Sequence, residues 1–100
     1  MTSLNTQTKH CDGFAIPLQP DTDLGLAMLI AEDDDGGHEP VAIVGTIAEA
    51  RETAREDLRT RMRCLEADQE AGLCPVIYKV WARGIDGGYR LACEIDAVTI

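Results

Sequence analysis

The sequence predicts a two-layer α+β domain with chain order ββαββ, in which one helix covers one face of a four-stranded antiparallel sheet. Three observations carry this prediction. One long amphipathic stretch lies in the middle of the chain, strand-like apolar stretches flank it on both sides, and the turn signal Asp86-Gly87 joins the last two strands. One hundred residues suffice for one hydrophobic core. We therefore expect a flexible tail over residues 1–12 and a single domain over residues 13–100.

Two strands are predicted before the helix. Residues 13–18 are apolar but contain Pro17, which restricts them to an edge strand at most. Residues 24–31 alternate as a strand does, and residues 41–44 form a second, β-branched run. Between these two strands lies the acidic stretch 32–40, whose glycines, proline and charges are typical of a loop.

The helix is predicted from Thr46 to about Glu66. Thr46 and Glu49 have the spacing of a capping box, and no glycine or proline interrupts the following turns. Apolar residues recur there every three or four positions and form one stripe: Ile47, Ala50, Ala54, Leu58, Met62 and Leu65. Because the stripe begins with alanines, the helix can approach the sheet closely.

The last two strands, residues 76–83 and 89–98, are predicted to form a hairpin. A two-residue type I′ turn at Asp86-Gly87 fixes its register. The resulting pairs are Tyr78 with Ile95, Lys79 with Glu94, Val80 with Cys93, Ala82 with Leu91 and Arg83 with Arg90. All but the last combine apolar residues or opposite charges. With the helix returning the chain across the sheet, the predicted strand order is 2-1-3-4.

Alternation divides the side chains between the two faces of the sheet. The face predicted to lie under the helix carries Leu26, Met28, Ile30, Val80, Leu91, Cys93 and Ile95. The opposite face is predicted to carry Ala27, Leu29, Ala42, Val44, Ile77, Trp81 and Ala92. One helix cannot cover both faces, so the second must contact a protein partner, a second copy of the chain, or residues 14–18. Trp81 is the expected anchor of such a contact.

The chain is acidic, with a net charge of −9. Residues 1–46 hold eight acidic residues and one lysine, a net charge of −7, and the remainder carries −2. This distribution argues against direct binding to a phosphate backbone. It fits competition for a basic surface that otherwise holds nucleic acid, and it also fits simple maintenance of solubility.

Other sequence features indicate a cytoplasmic protein. No apolar run approaches the roughly 18 residues of a membrane span, and the polar N-terminus has no signal-peptide pattern. The four cysteines, Cys11, Cys64, Cys74 and Cys93, contain no Cys-x-x-Cys spacing. We therefore interpret them as thiols in a reducing compartment, without a disulfide framework or a zinc site.

An arginine row marks the polar side of the helix at successive four-residue spacings: Arg51, Arg55, Arg59 and Arg63. Such a row can bind a carboxylate or phosphate partner, with Arg55 and Arg59 at its centre. The alternative is a solvated face in which Glu52 and Glu56 neutralise the arginines.

Two constellations could carry chemistry. The acidic loop residues that could bind a hard divalent cation are Glu32, Asp33, Asp34, Asp35, His38 and Glu39, although they lack the alternating spacing of an EF-hand. His10 and Cys11 together with His38 could be a nucleophile and base, or metal ligands, but the first two lie in the predicted tail. We therefore expect no enzyme, no cofactor and no bound metal, and keep a small metal-dependent enzyme as an alternative.

Neither the segment GTIAEARETA nor the hairpin that begins with YKVWARG carries a family motif. In size, acidity and element order the whole chain resembles small proteins of phages and mobile elements, among them anti-CRISPR and antirestriction proteins. The resemblance implies an inhibitor that docks on a basic groove of a nucleic-acid-handling complex. The alternative is a homodimeric accessory protein. The candidate partner-binding residues are Asp33, Asp34, Asp35, Glu39, Ile77, Trp81, Arg55 and Arg59.

Overall fold

The computed structural model describes residues 19–70, 72–84 and 86–100. Its elements are β1 (Ala27–Glu32), β2 (His38–Val44), α1 (Ile47–Glu66), β3 (Ile77–Arg83) and β4 (Tyr89–Asp96). The strands form one antiparallel sheet in the order β2-β1-β3-β4, and α1 packs on one face. The predicted fold class and strand order are confirmed. The predicted tail 1–12 and the stretch 13–18 lie outside the described residues.

Helix α1 begins as predicted. The Thr46 hydroxyl accepts a hydrogen bond from the Glu49 backbone N–H at 3.0 Å, while the Glu49 carboxylate accepts from the Gly45 N–H at 2.6 Å. The carboxylate thus reaches one residue further back than in a standard capping box. The apolar stripe packs against the core from Ile47 to Leu58, whereas Met62 and Leu65 at its end are exposed.

We expect Thr46→Ala to lower the free energy of unfolding by about 1 kcal/mol, because the Glu49 N–H loses its acceptor at the start of α1. Chemical denaturation monitored by circular dichroism measures this loss. Thr60→Ala, in the exposed middle of the same helix, is the control and should be neutral or slightly stabilising. Equal losses in the two variants would show that the cap contributes nothing specific.

The face assignment of β1 was wrong. Ala27, Leu29 and Ala31 are completely buried under α1, whereas Met28 and Ile30 alternate with them on the other face. Both alternating sets are apolar, so alternation alone could not distinguish them. The alanines decide the outcome, because the helix contributes Ala50 and Ala54, also fully buried, and small residues on both layers allow close approach.

The other strands agree with the predicted faces in part. Val80 and Ile95 lie under the helix as predicted, and Cys93 packs against the core. Val44 and Ala92, predicted on the opposite face, are buried in the core, and Ala42 packs against it. Leu26 is exposed and not covered by α1. Ile77 and Trp81 alternate with buried Tyr78 and Val80, so they lie on the face away from the helix, as predicted.

The predicted register of the hairpin is correct only in the half that lies farther from the turn. The predicted pairs of Tyr78 with Ile95, Lys79 with Glu94 and Val80 with Cys93 are present. Near the turn the register shifts by one residue, because a bulge at Ala92 separates these pairs from Trp81–Leu91, Ala82–Arg90 and Arg83–Tyr89. The predicted pairs Ala82–Leu91 and Arg83–Arg90 are therefore wrong.

The turn itself explains the shift. The Gly84 N–H donates to the Gly88 carbonyl at 2.6 Å, and the Gly87 N–H donates to the Gly84 carbonyl at 3.1 Å. Three residues therefore separate the bonded pair Gly84 and Gly88, and Gly87 has φ +86, a left-handed conformation that glycine adopts without strain. The loop is thus one residue longer than the predicted type I′ turn.

A polar cluster ties α1 to the sheet. The Asp57 carboxylate accepts from the Tyr78 hydroxyl and from Arg61 Nε, both at 2.7 Å, and Arg61 Nη1 pairs with Glu39 at 2.9 Å. Arg61 Nη1 also donates to the Leu73 carbonyl at 3.0 Å. Burial raises the pKa of the Tyr78 phenol, and the bond to Asp57 raises it further. Burial alone would lower the Arg61 pKa, but hydrogen bonds to Asp57 and Glu39 outweigh it and raise the pKa.

Candidate protein-docking face

The side of the sheet away from α1, here called the open face, carries a continuous apolar row. Ile43 pairs with Met28 across β2 and β1, Met28 pairs with Trp81 across β1 and β3, and Trp81 pairs with Leu91 across β3 and β4. Directly paired residues point to the same face, so these four side chains form one docking row across the whole sheet. Ile43 is 56% exposed, and the other three are partly buried. No described element packs on the row.

A shallow pocket adjoins the docking row. It has a volume of about 240 Å³ and is lined by Met28, Ile30, Trp81 and Tyr89. Tyr89 reaches this face because the bulge at Ala92 places it opposite Arg83 rather than opposite Gly84. The pocket therefore combines side chains from three strands into one apolar depression.

One end of the open face is acidic. Glu32 and Asp96 are both paired with Ile77, and Glu94 is paired with Lys79, so all three carboxylates belong to this face. Lys79 Nζ lies 3.2 Å from the Glu32 carboxylate. The β1–β2 turn, which follows Glu32 directly, adds exposed Asp34 and Asp35. We call these five carboxylate residues the acidic end.

The residues of the predicted acidic loop make separate contacts in the structure. The Asp33 carboxylate accepts from the backbone N–H groups of Asp35 at 3.0 Å and of Gly37 at 2.7 Å, so it organises the turn. Glu39 belongs to β2 and pairs with Arg61 on the helix side. The predicted loop 32–40 is thus too long, because β1 ends at Glu32 and β2 starts at His38.

The described residues do not form the candidate metal site, and the candidate nucleophile site lies partly outside them. Among residues 19–70, 72–84 and 86–100, no group of three or more histidine, cysteine or acidic side chains is arranged to hold a metal ion. His10 and Cys11 lie outside the described residues, so their proposed partnership with His38 stays a prediction.

The arginine row lies on the other layer of the protein. Arg55 is ion-paired with Glu52, and Arg59 Nη1 lies 2.7 Å from the Glu56 carboxylate. Because α1 covers the opposite side of the sheet, the fold does not bring Arg55 and Arg59 together with Trp81. Of the predicted partner-binding residues, Ile77 and Trp81 lie on the open face, and Asp34 and Asp35 lie at its acidic end.

Sequence reasoning missed Met28, Ile30, Tyr89 and Leu91 as members of the open face. A signal for the first two was present, because the alternate set of β1 contains two alanines that match the alanines of the helix. Tyr89 and Leu91 had no such signal. Their placement depends on the bulge at Ala92 and on the length of the hairpin loop, and the turn residues are compatible with more than one loop length.

The fold and this face define a small α+β domain with an apolar sheet surface beside an acidic end. Comparison of the chain with protein-family models, with curated proteins and with solved structures gives no match in any of the three. The helix α1 is not apolar enough to cross a membrane, and the described residues contain no other helix that could.

Proposed function

We propose that this protein acts without catalysis, as an acidic inhibitor that docks on a basic nucleic-acid-binding surface of another complex, in the manner of an anti-CRISPR protein. The observation that supports the proposal is the docking row lying beside the acidic end on one side of the sheet. An apolar surface of this kind, spanning four strands without a described cover, is typical of a contact site.

The two parts of the open face suit two stages of binding. Carboxylates at the acidic end attract a basic partner from a distance and raise the association rate. The docking row then provides apolar contact area, with Trp81 at its centre as the residue type most often responsible for binding energy. A partner surface that normally binds nucleic acid is rich in lysine and arginine and so complements this arrangement.

A second candidate is a homodimer that pairs two open faces. Arg83 lies on this face at the end opposite the acidic end. If two copies packed face to face with antiparallel strands, each Arg83 would lie near carboxylates of the other copy. In this case the protein would be a dimeric accessory protein, and its docking row would be buried by self-association.

The test of the inhibitor proposal is capture of a partner from a lysate of the native host, followed by a nucleic-acid displacement assay with the purified partner. We expect wild-type protein to displace bound nucleic acid. The double variant Asp34→Lys, Asp35→Lys should weaken displacement at least about tenfold at low salt and less at high salt. Asp33 is left unchanged because it holds the turn together.

The matched control for this variant is Glu66→Lys, Glu70→Lys, which makes the same change in net charge at exposed sites at and beyond the end of α1. It should displace nucleic acid as wild type does. If both double variants lose activity equally, overall charge rather than the acidic end directs binding. Capture of a partner whose nucleic-acid binding is unaffected would overturn the proposal.

A further inference from the structure

The pocket on the open face has the size and chemistry of a receptor for one side chain. Its volume of about 240 Å³ is below the roughly 300–1,000 Å³ of sites that enclose a drug-sized ligand. Its lining, Met28, Ile30, Trp81 and Tyr89, is almost entirely apolar at the surface. Such a depression suits a leucine-sized or aromatic side chain better than a cofactor.

Three carboxylates of the acidic end, Glu94, Glu32 and Asp96, lie at regular distances from this pocket along the strands. Along β3, Lys79 is two residues from Trp81 and Ile77 is four residues away, which corresponds to about 7 Å and about 13 Å in an extended strand. Glu94 pairs with Lys79, while Glu32 and Asp96 pair with Ile77. Lys79 is ion-paired with Glu32 at 3.2 Å. One carboxylate with no ion pair to a described residue therefore remains in each row, Glu94 beside Lys79 and Asp96 beside Ile77.

We infer that the open face recognises a segment of a basic protein in which an aliphatic or aromatic side chain enters the pocket, and lysine or arginine follows two and four residues later in an extended conformation. This inference rests on the proposed function and specifies the chemistry of the partner. Alternate side chains of an extended segment point to the same side, so all three groups can face the sheet together.

Charge favours such a partner over a second copy of this chain. Each copy carries a net charge of −9, and a second copy would bring its own acidic end together with one compensating Arg83. A lysine-rich segment instead places two cations against the carboxylates of the acidic end.

The experiment uses three acetylated, amidated peptides as probes: Leu-Ser-Lys-Ser-Lys, Ala-Ser-Lys-Ser-Lys and Leu-Ser-Glu-Ser-Glu. Trp81 is the only tryptophan of the chain and lines the pocket, so its fluorescence reports occupancy directly. We expect saturable binding of the first peptide. The alanine peptide should bind at least about tenfold more weakly because it buries less apolar surface. The glutamate peptide should be weaker by a similar factor at low salt.

Two variants that keep Trp81 separate the pocket from the rest of the open face. Tyr89→Ser removes an exposed part of the pocket wall, and it should abolish the preference for leucine over alanine. Ile43→Ser is the control, since Ile43 is exposed on the same face but does not line the pocket, and it should retain that preference. Circular dichroism confirms that each variant is folded.

Three results of the peptide experiment would overturn the inference. One is equal binding of all three peptides, and another is an unchanged leucine preference in Tyr89→Ser. The third is a Trp81 signal that depends on protein concentration without peptide, with a doubled mass in sedimentation, because the occupant would then be a second copy. If Tyr89→Ser still displaces nucleic acid from a captured partner as well as wild type, the pocket inference fails while the proposed function stands.

Discussion

Leu29→Ala is expected to lower the free energy of unfolding by about 3 kcal/mol, within the range of about 2–5 kcal/mol for leucine-to-alanine changes in a core. Leu29 is 0% exposed and lies between β2 and β3 under the alanine stripe of α1. Its removal leaves a cavity that the surrounding backbone, already closely packed through alanines, cannot fill by collapse. Urea denaturation followed by circular dichroism provides the measurement.

The control is Leu26→Ala, the same chemical change three residues earlier. Leu26 is 74% exposed, so its truncation should cost less than about 0.5 kcal/mol. The pair is informative because sequence alternation predicts the opposite ranking, with Leu26 under the helix and Leu29 outside. A larger loss for Leu26 than for Leu29 would mean that β1 faces the other way.

Arg61→Met is expected to cost about 3 kcal/mol, because it removes the cation that binds both Asp57 and Glu39. The side chains of Arg61 and Asp57 are only 12% and 20% exposed, so water cannot replace the lost partner fully. Methionine retains most of the aliphatic length, which limits the loss to the charged interaction rather than the packing. Thermal and urea unfolding of the variant and wild type measure the difference.

Arg59→Met is the matched control, since Arg59 is bonded to Glu56 at the same 2.7 Å that separates Arg61 from Asp57. These two side chains are 49% and 64% exposed, and a surface pair of this kind contributes about 0–0.5 kcal/mol. Similar losses in the two variants would show that the Arg61 cluster is no more important than an ordinary surface ion pair.

The parts of the fold that sequence predicted well depend on local signals. The start of α1 follows from Thr46 and Glu49, whose interaction spans three residues and needs no tertiary partner. Three pairs of the β3–β4 hairpin, including Lys79 with Glu94, follow from the short connection and from matching side chains. The strand order then follows from antiparallel connections around one helix.

The parts of the fold that were not predicted from sequence depend on contacts between distant segments. Asp57 and Arg61 are four residues apart on a helix and could be paired from sequence, but Glu39 and Tyr78 join them only through the fold. Alternation alone left the orientation of β1 undetermined because both of its alternating sets are apolar, and only the match between its alanines and those of α1 distinguishes the two sets. The pocket depends on that orientation as well as on Tyr89, so no local pattern could predict it.

The pairing of β1 with β2 contains a second register shift, between Leu29 and Ile30, and this shift and the bulge at Ala92 determine which way neighbouring side chains point. In β2 the extra residue is Val41, and with it Glu39 pairs with Ala31 and reaches Arg61 on the helix side. In β4 the extra residue is Ala92, and with it Leu91 and Tyr89 lie on the opposite side. Deleting either residue would move the side chains between the bulge and the adjacent hairpin turn to the opposite face of the sheet. In related chains, the spacing from Glu39 to Ala42 and from Tyr89 to Cys93 should therefore tolerate exchanges of amino acid far better than changes of length.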